Sequence, residues 1–344
     1  MNNLSQIAFK IVNNILEIHE KNIVSVSGEI HNSQNNVFSL NEIAILEELS
    51  LAIRKKKAFP FIEISTERLK ERFLSEIPED VMHLKPEYYL KWLDDLDAFI
   101  EIGWKNINQN FVDDTYSKLQ KMEQSLEDIW AKIIEQQKKF VFLNFPSPEL
   151  ATILDINYEN LLSHYLKMLD SDYKVMYNKA DDLTQALRGK INTIFTKENT
   201  LSLFIKNIPP KAYYGNIQSN QIVILPTGKI EMEVERSSLN GIYFAEKIYY
   251  KKNYYNSVKI LFEDGDIRYL TFSEEKKGNF ILENALMNSK MFCSISIGLN
   301  SGNRTLTNYY SYDRCIDKSV SFKFFDANEE PILVLNRQAI VKNI

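Results

Sequence analysis

The chain is predicted to pair an α/β domain built on a mainly parallel sheet with a second, mostly β domain, and three observations carry this. Short runs rich in Val, Ile and Phe alternate with longer helical patterns through the first two hundred residues. From about Tyr213 turns such as PTGK, EDGD and NSGN separate short strands instead. At 344 residues, with 44% hydrophobic and 25% charged residues, the chain is also too long for one ordinary core. The expected division is residues 1–207 and 208–344.

The elements follow in order. NIVSVSGEI (22–30) reads as a strand and NEIAILEELSLAIRKK as an amphipathic helix whose closing cations, Arg54 to Lys57, complement its dipole. FPFIEIS (59–65) is a second strand, and Thr66 caps the helix TERLKERFL. PEYYLKWLDDL is helical, DAFIEIG (97–103) a third strand, and residues 113–138 a long polar helix leading into FVFLNF (140–145). PSPELATIL opens a helix with Pro148 at a tolerated first-turn position. Two more helices fill 156–190 before the β-rich INTIFT. In the second half one helical piece, EEKKGNFILENALMN, interrupts the strands.

Composition excludes several classes. A net charge of -5 with scattered Lys and Arg gives no basis for a nucleic-acid partner. No stretch reaches the roughly 18 apolar residues of a membrane span, and the N-terminal run reads as an amphipathic helix rather than a signal peptide. A cytoplasmic location and no membrane partner are therefore expected. Two cysteines, Cys293 and Cys315, provide neither a disulfide framework nor a cysteine-rich zinc site. His31 and His83 read as surface or loop residues.

Several motifs occur in a telling order. Pro226-Thr227-Gly228-Lys229-Ile230 is followed by Asn240-Gly241 and KILFEDGDI, then SISIGLN (294–300) and YDRCIDKSVS (312–321). Together with the segment from Ile77 to Gly103 and FPSPELA, these make the chain resemble the M29 family of metalloaminopeptidases over most of its length. The resemblance implies an aminopeptidase-like fold, a pair of divalent ions that activate water, and a homodimer.

At each family ligand that aligns, this chain departs. The first glutamate is replaced by Lys229, the second by Ser294 and the histidine by Ser321. FKFFDANEEPILVLN runs on where the family carries a loop with its last histidine and aspartate, and no histidine follows His164. The expectation is a degenerate member with no metal site and no cofactor, binding a peptide, an amino-acid derivative or a partner protein. Lys229, Arg314, Ser294 and Ser321 are its candidate ligand-binding residues. The alternative is a metal-independent enzyme acting on an acyl or peptidyl substrate, with Lys229, Cys293 and Ser294 as catalytic candidates. A working metalloaminopeptidase with relocated ligands is the least favoured reading.

Some residues admit two interpretations. Lys229 either points to solvent or restores positive charge where a metal would sit, holding a carboxylate or an oxyanion. The alternation K-I-E-M-E-V-E places Lys229, Glu231, Glu233 and Glu235 on one strand face, either as ordinary solvated surface or facing a site. Cys293 and Cys315 are either inert buried thiols or, near Lys229 or Arg314, acidified nucleophiles. The tyrosines of AYYG, NYYNS and NYYSYD suit packing first and a polar-aromatic pocket second.

Overall fold

The structure is a computed structural model that describes residues 3–30, 40–78, 80–81, 87–103, 113–215, 222–251, 253–273 and 278–343. Its strands are β1 Ile23–Ile30, β2 Phe59–Thr66, β3 Ala98–Gly103, β4 Lys139–Asn144, β5 Lys190–Thr196, β6 Asn199–Ile205, β7 Lys211–Tyr213 and β8 Ile222–Leu225. Then follow β9 Lys229–Tyr250, β10 Asn253–Glu263, β11 Asp266–Phe272, β12 Lys290–Gly298, β13 Val320–Phe325, β14 Pro331–Asn336 and β15 Ile340–Asn343. The α-helices are α1 Asn3–Lys10, α2 Leu40–Lys55, α3 Glu67–Glu76, α4 Glu87–Trp92, α5 Asp113–Glu135, α6 Pro148–Ile153, α7 Tyr158–Leu169, α8 Tyr173–Leu187, α9 Asn279–Met287 and α10 Tyr310–Asp313. A π-helical turn, Ile11–Ile15, continues α1. Residues 274–277 of the helical piece expected before α9, together with His31 and His83, lie outside the described residues.

The first unit comprises Met1–Asp170 and Gly215–Pro226. Its sheet runs β2-β1-β3-β4-β8, every pair parallel. Strands covered on both faces need apolar side chains on both: Val26, Ile100 and Val141 are buried on one face, Phe99, Phe140 and Phe142 on the other. Local chemistry fixes the helix starts as the sequence implies. Thr66 Oγ1 accepts from Leu69 N at 3.2 Å to cap α3, and Ser147 Oγ accepts from Leu150 N at 3.0 Å to cap α6 just ahead of Pro148. Arg54 and Lys55 close α2.

The second unit comprises Ser171–Tyr214 and Thr227–Ile344. The division thus differs from the expected break at residue 207. The segment containing α8, β5 and β6 joins the β unit, and the run IVIL, read as part of the β domain, returns to the parallel sheet as β8. A four-residue apolar run carries no local signal of which sheet it completes.

The long strand β9 organises this unit. Its start pairs with β12 and its end with β14, and the antiparallel pairs β12–β13 and β13–β14 close a ring of strands through it. Its middle also carries β6, and its second half, from Gly241 to Tyr250, carries β10. One face of the ring is apolar, with Ile230, Met232, Ile295, Ile297, Phe322, Phe324, Val334 and Ile248 in a single core. Tyr243 is buried there and satisfies its hydroxyl by donating to Val320 O at 2.7 Å. Among the described residues no helix is long and apolar enough to cross a membrane.

Candidate functional site

The opposite face of the ring carries the candidate site, and strand register decides which side chains meet there. Directly opposed residues of an antiparallel pair share a face. Glu231 on β9 lies opposite Ser296 on β12, and Ser296 lies opposite Ser321 on β13. The same row runs on through Leu335 to Lys247 near the end of β9. Lys229 is two residues from Glu231, opposite Gly298 on one side and Tyr213 of β7 on the other.

Two glycines of the motifs allow the chain to fold over this face. A Cβ on Gly298 would lie 2.0 Å from Ile316 O, so only glycine lets the segment after α10 lie directly against β12. Gly228 has a φ of +122°, and a Cβ there would lie 2.8 Å from Asn300 Cβ. Buried Asn300 ties the turn together, donating to Thr227 O at 2.8 Å while accepting from Ser171 Oγ at 2.7 Å and Gly302 N at 2.9 Å.

Lys229 is only 6% exposed, so the solvent-facing alternative does not hold. Its Nζ donates to Glu231 Oε1 and lies 4.2 Å from the centroid of the Tyr213 ring. Burial pushes its ammonium below the ordinary lysine range, and the positive Arg314 nearby pushes the same way. Arg314 caps the end of α10 and places its guanidinium carbon 5.3 Å from the Tyr310 ring centroid. The Tyr310 hydroxyl lies 3.2 Å from Ser321 Oγ. The circuit Lys229, Glu231, Ser296, Ser321, Tyr310, Arg314 is thereby joined by hydrogen bonds, register, ring contact and charge.

Two groups in it lack hydrogen-bond partners among the described residues: Ser296 Oγ and Arg314 Nε. Beside the circuit, buried Asp313 accepts from Tyr249 Oη at 2.7 Å and from Thr307 N and Oγ1 at 2.7 and 2.8 Å. Burial raises this carboxyl to about 6 despite those donors.

The sequence-derived candidates are therefore only partly brought together. Lys229, Arg314 and Ser321 join the cluster. Ser294 lies opposite Glu233, two residues along β12 from Ser296, and Glu233 and Glu235 are exposed. Cys293 falls on β12, but its side chain lies outside the described residues. Burial pushes the Cys315 thiol up, overriding the nearby cations, which favours the inert buried thiol of its two readings. Tyr213 and Tyr310, from the AYYG and NYYSYD runs, take the polar-aromatic alternative, whereas Ser296 and Asp313 were not singled out. The alternation S-I-S-I, with Ile295 and Ile297 in the core, is the signal that puts Ser296 on the face of Glu231.

As a donor set, the cluster offers an ammonium, a guanidinium, one carboxylate held by the ammonium, and hydroxyls. Among the described residues no group of three or more His, Cys, Asp or Glu is placed to hold a metal ion.

The architecture is aminopeptidase-like, an α/β unit with a parallel sheet joined to a mostly antiparallel β unit. Among solved structures, wild-type AmpT from Thermus thermophilus matches with a TM-score of 0.58 at 11% identity, over 93% of this chain and 85% of that one. A 2,5-dihydroxypyridine dioxygenase from Pseudomonas putida KT2440 matches with a TM-score of 0.54 at 10% identity, over 100% of this chain and 94% of that one. At these identities the likeness is one of fold. No protein-family profile matches the chain, and neither does any curated protein sequence.

Proposed function

We propose that this chain is a binding protein on an aminopeptidase-like fold, taking a peptide or amino-acid derivative without a dinuclear metal. The carrying observation is a pair of cations, Lys229 buried and Arg314 half-buried with its Nε enclosed. Lys229 and Arg314 occupy the region where the family resemblance implies metal ions, and the one carboxylate beside them, Glu231, is engaged by Lys229. A positive, hydroxyl-lined surface of this kind repels a divalent cation and offers no set of anionic or imidazole donors to compensate. A homodimer, which the family resemblance implies, and a cytoplasmic location belong to the same proposal.

The test is elemental analysis of protein purified without chelator, with zinc, manganese and cobalt titrations by calorimetry. Substoichiometric metal, and no hydrolysis of aminoacyl p-nitroanilides on metal addition, are expected. Near-stoichiometric metal with chelator-sensitive hydrolysis overturns the proposal.

The depressed basicity of Lys229 favours a second reading, a metal-independent enzyme. Desolvation beside another cation lowers the basicity of Lys229, the direction that favours an amine acting as nucleophile or base toward a carbonyl. Under this reading a chelator-insensitive turnover exists and Lys229→Met abolishes it.

A further inference from the structure

Arg314 and Ser296 are an unusual combination for one buried face. A guanidinium keeps its charge at any working pH and carries five donors. Arg314 makes no ion pair among the described residues, and its Nε, buried, has no hydrogen-bond partner there. Its nearest anion, Glu231, is engaged by Lys229, so ammonium and carboxylate largely neutralise one another. Along the same row Lys247 is balanced by Asp313, and farther along β9 Glu233 faces Lys206 at 3.9 Å. Burial keeps Tyr213, Tyr310 and Cys315 in their neutral forms. Within the circuit from Lys229 to Arg314, one positive charge is left over, on Arg314.

A buried hydroxyl without a partner is costly, and a buried cation without a counterion more so. Ser296 Oγ, on a residue 7% exposed, is the nearest such hydroxyl along the row. It sits opposite Ser321, whose hydroxyl touches Tyr310, and Tyr310 in turn faces Arg314. The two unpaired donors thus flank the Tyr310–Ser321 contact from either side.

We infer that this face binds a single carboxylate, with Arg314 Nε as the charged donor and Ser296 Oγ as the neutral one, in the ligand site of the first reading above, on which the inference rests. One negative charge balances the cluster; a phosphate dianion would overshoot it. A carboxylate also has two oxygens to share between two donors. Amino-acid derivatives and peptide C-termini present this group, and amidated ones do not.

The experiment measures melting temperature and calorimetric affinity at fixed ionic strength, using acetate, N-acetyl-leucine, N-acetyl-leucinamide and inorganic phosphate, with chloride as reference. Acetate and N-acetyl-leucine should stabilise saturably, and the amide and phosphate should not. Arg314→Gln should weaken N-acetyl-leucine at least tenfold. Ser296→Ala should weaken it several-fold, while the ligand-free variant melts no lower than the parent, because the hydroxyl it loses satisfies nothing. Carboxylates no better than chloride overturn the inference, as does phosphate binding tighter than N-acetyl-leucine, or unchanged affinity in Arg314→Gln. If Arg314→Gln does not fold, Ser296→Ala decides alone, and a lowered melting temperature in that variant counts against the inference. Failure here with metal still absent leaves the wider reading standing, whereas tight metal binding breaks that reading whatever the carboxylates do.

Discussion

In the first unit β3 and β4 are buried along almost their whole length by side chains such as Phe99, Ile100, Val141 and Leu143. In the second, β9 and β13 bury apolar residues on one face only, and the other face holds Lys229, Glu231 and Ser321 under the segment that follows Asn300. Both arrangements cover a sheet. Helices need an apolar surface to pack on, whereas an irregular segment brings its own unpaired backbone and side-chain polar groups and can cover a polar face. The enclosed cations' polar atoms and the unpaired donors Ser296 Oγ and Arg314 Nε therefore gather where a loop rather than a helix is the cover, and the unit with the smoother core offers no comparable cluster among its described residues.

The sharpest break in this comparison is Gly298→Ala. With a Cβ placed 2.0 Å from a backbone oxygen, the covering segment must lift off β12, at an expected cost of about 3 kcal/mol or more. Urea denaturation followed by the fluorescence of Trp92, Trp104 and Trp130, all in the first unit, and by far-ultraviolet dichroism separately tells whether the loss stays in the second unit. Equal shifts in both signals would show that the two units unfold together.

Asp313 gives the next largest effect. Its folded value near 6 lies above the ordinary 3.8, so between these pH values the folded protein keeps a proton that the unfolded chain has released. Its contribution is fully present below about pH 4 and is lost as pH rises through about 6, by up to about 3 kcal/mol. Asp313→Asn should flatten that slope, since an amide oxygen still accepts from Thr307 while Tyr249 rotates to accept from the amide nitrogen. Asp326 runs the other way. Hydrogen bonding, first from Tyr250, holds it down at about 2, so its contribution is lost as pH falls from about 4 toward 2. Denaturant midpoints between pH 3 and 8 separate the two, and an unchanged slope in Asp313→Asn would remove Asp313 as the cause.

How far these features were legible follows from what sets each one. Strands of the parallel sheet are local: continuous apolar runs bounded by turn residues mark β1 to β4 to within a residue or two, and Thr66 and Ser147 announce their helices. Membership of a sheet is not local, so β8 and the pair β5–β6 were assigned to the wrong side of the division. The site shows the same split. Lys229 and Ser321 were visible because they replace residues in a recognisable motif. Tyr310 was visible only as one of the NYYSYD tyrosines with packing as the first reading, and Ser296 was not, since a serine between two isoleucines looks like a strand residue until register sets it beside Glu231.

Ser147→Ala should cost about 1 kcal/mol in the first unit, the ordinary value of an N-cap, with the loss shown by faster amide exchange at Leu150. An effect as large as that of Gly298→Ala would mean that the first unit, too, depends on buried polar groups.

Least of all should come from Lys10→Met. Lys10 Nζ sits 2.7 Å from Asp170 Oδ1, with the two side chains 20% and 34% exposed. Water competes for both groups and salt screens them, so the pair contributes about 0.5 kcal/mol and its removal shifts the urea midpoint slightly, less still in 0.5 M sodium chloride. The Lys229–Glu231 pair, with side chains 7% and 23% exposed, is the counterpart in the second unit. Lys229→Met leaves Glu231 to the neighbouring Arg314, which can turn to it, so the stability cost should be smaller than the several kcal/mol expected for a carboxylate left with no cation. The same rearrangement uses up the one unmatched charge. Lys229→Met should therefore lose carboxylate binding as Arg314→Gln does, and retention of both stability and carboxylate affinity would show that Lys229 and Arg314 act independently.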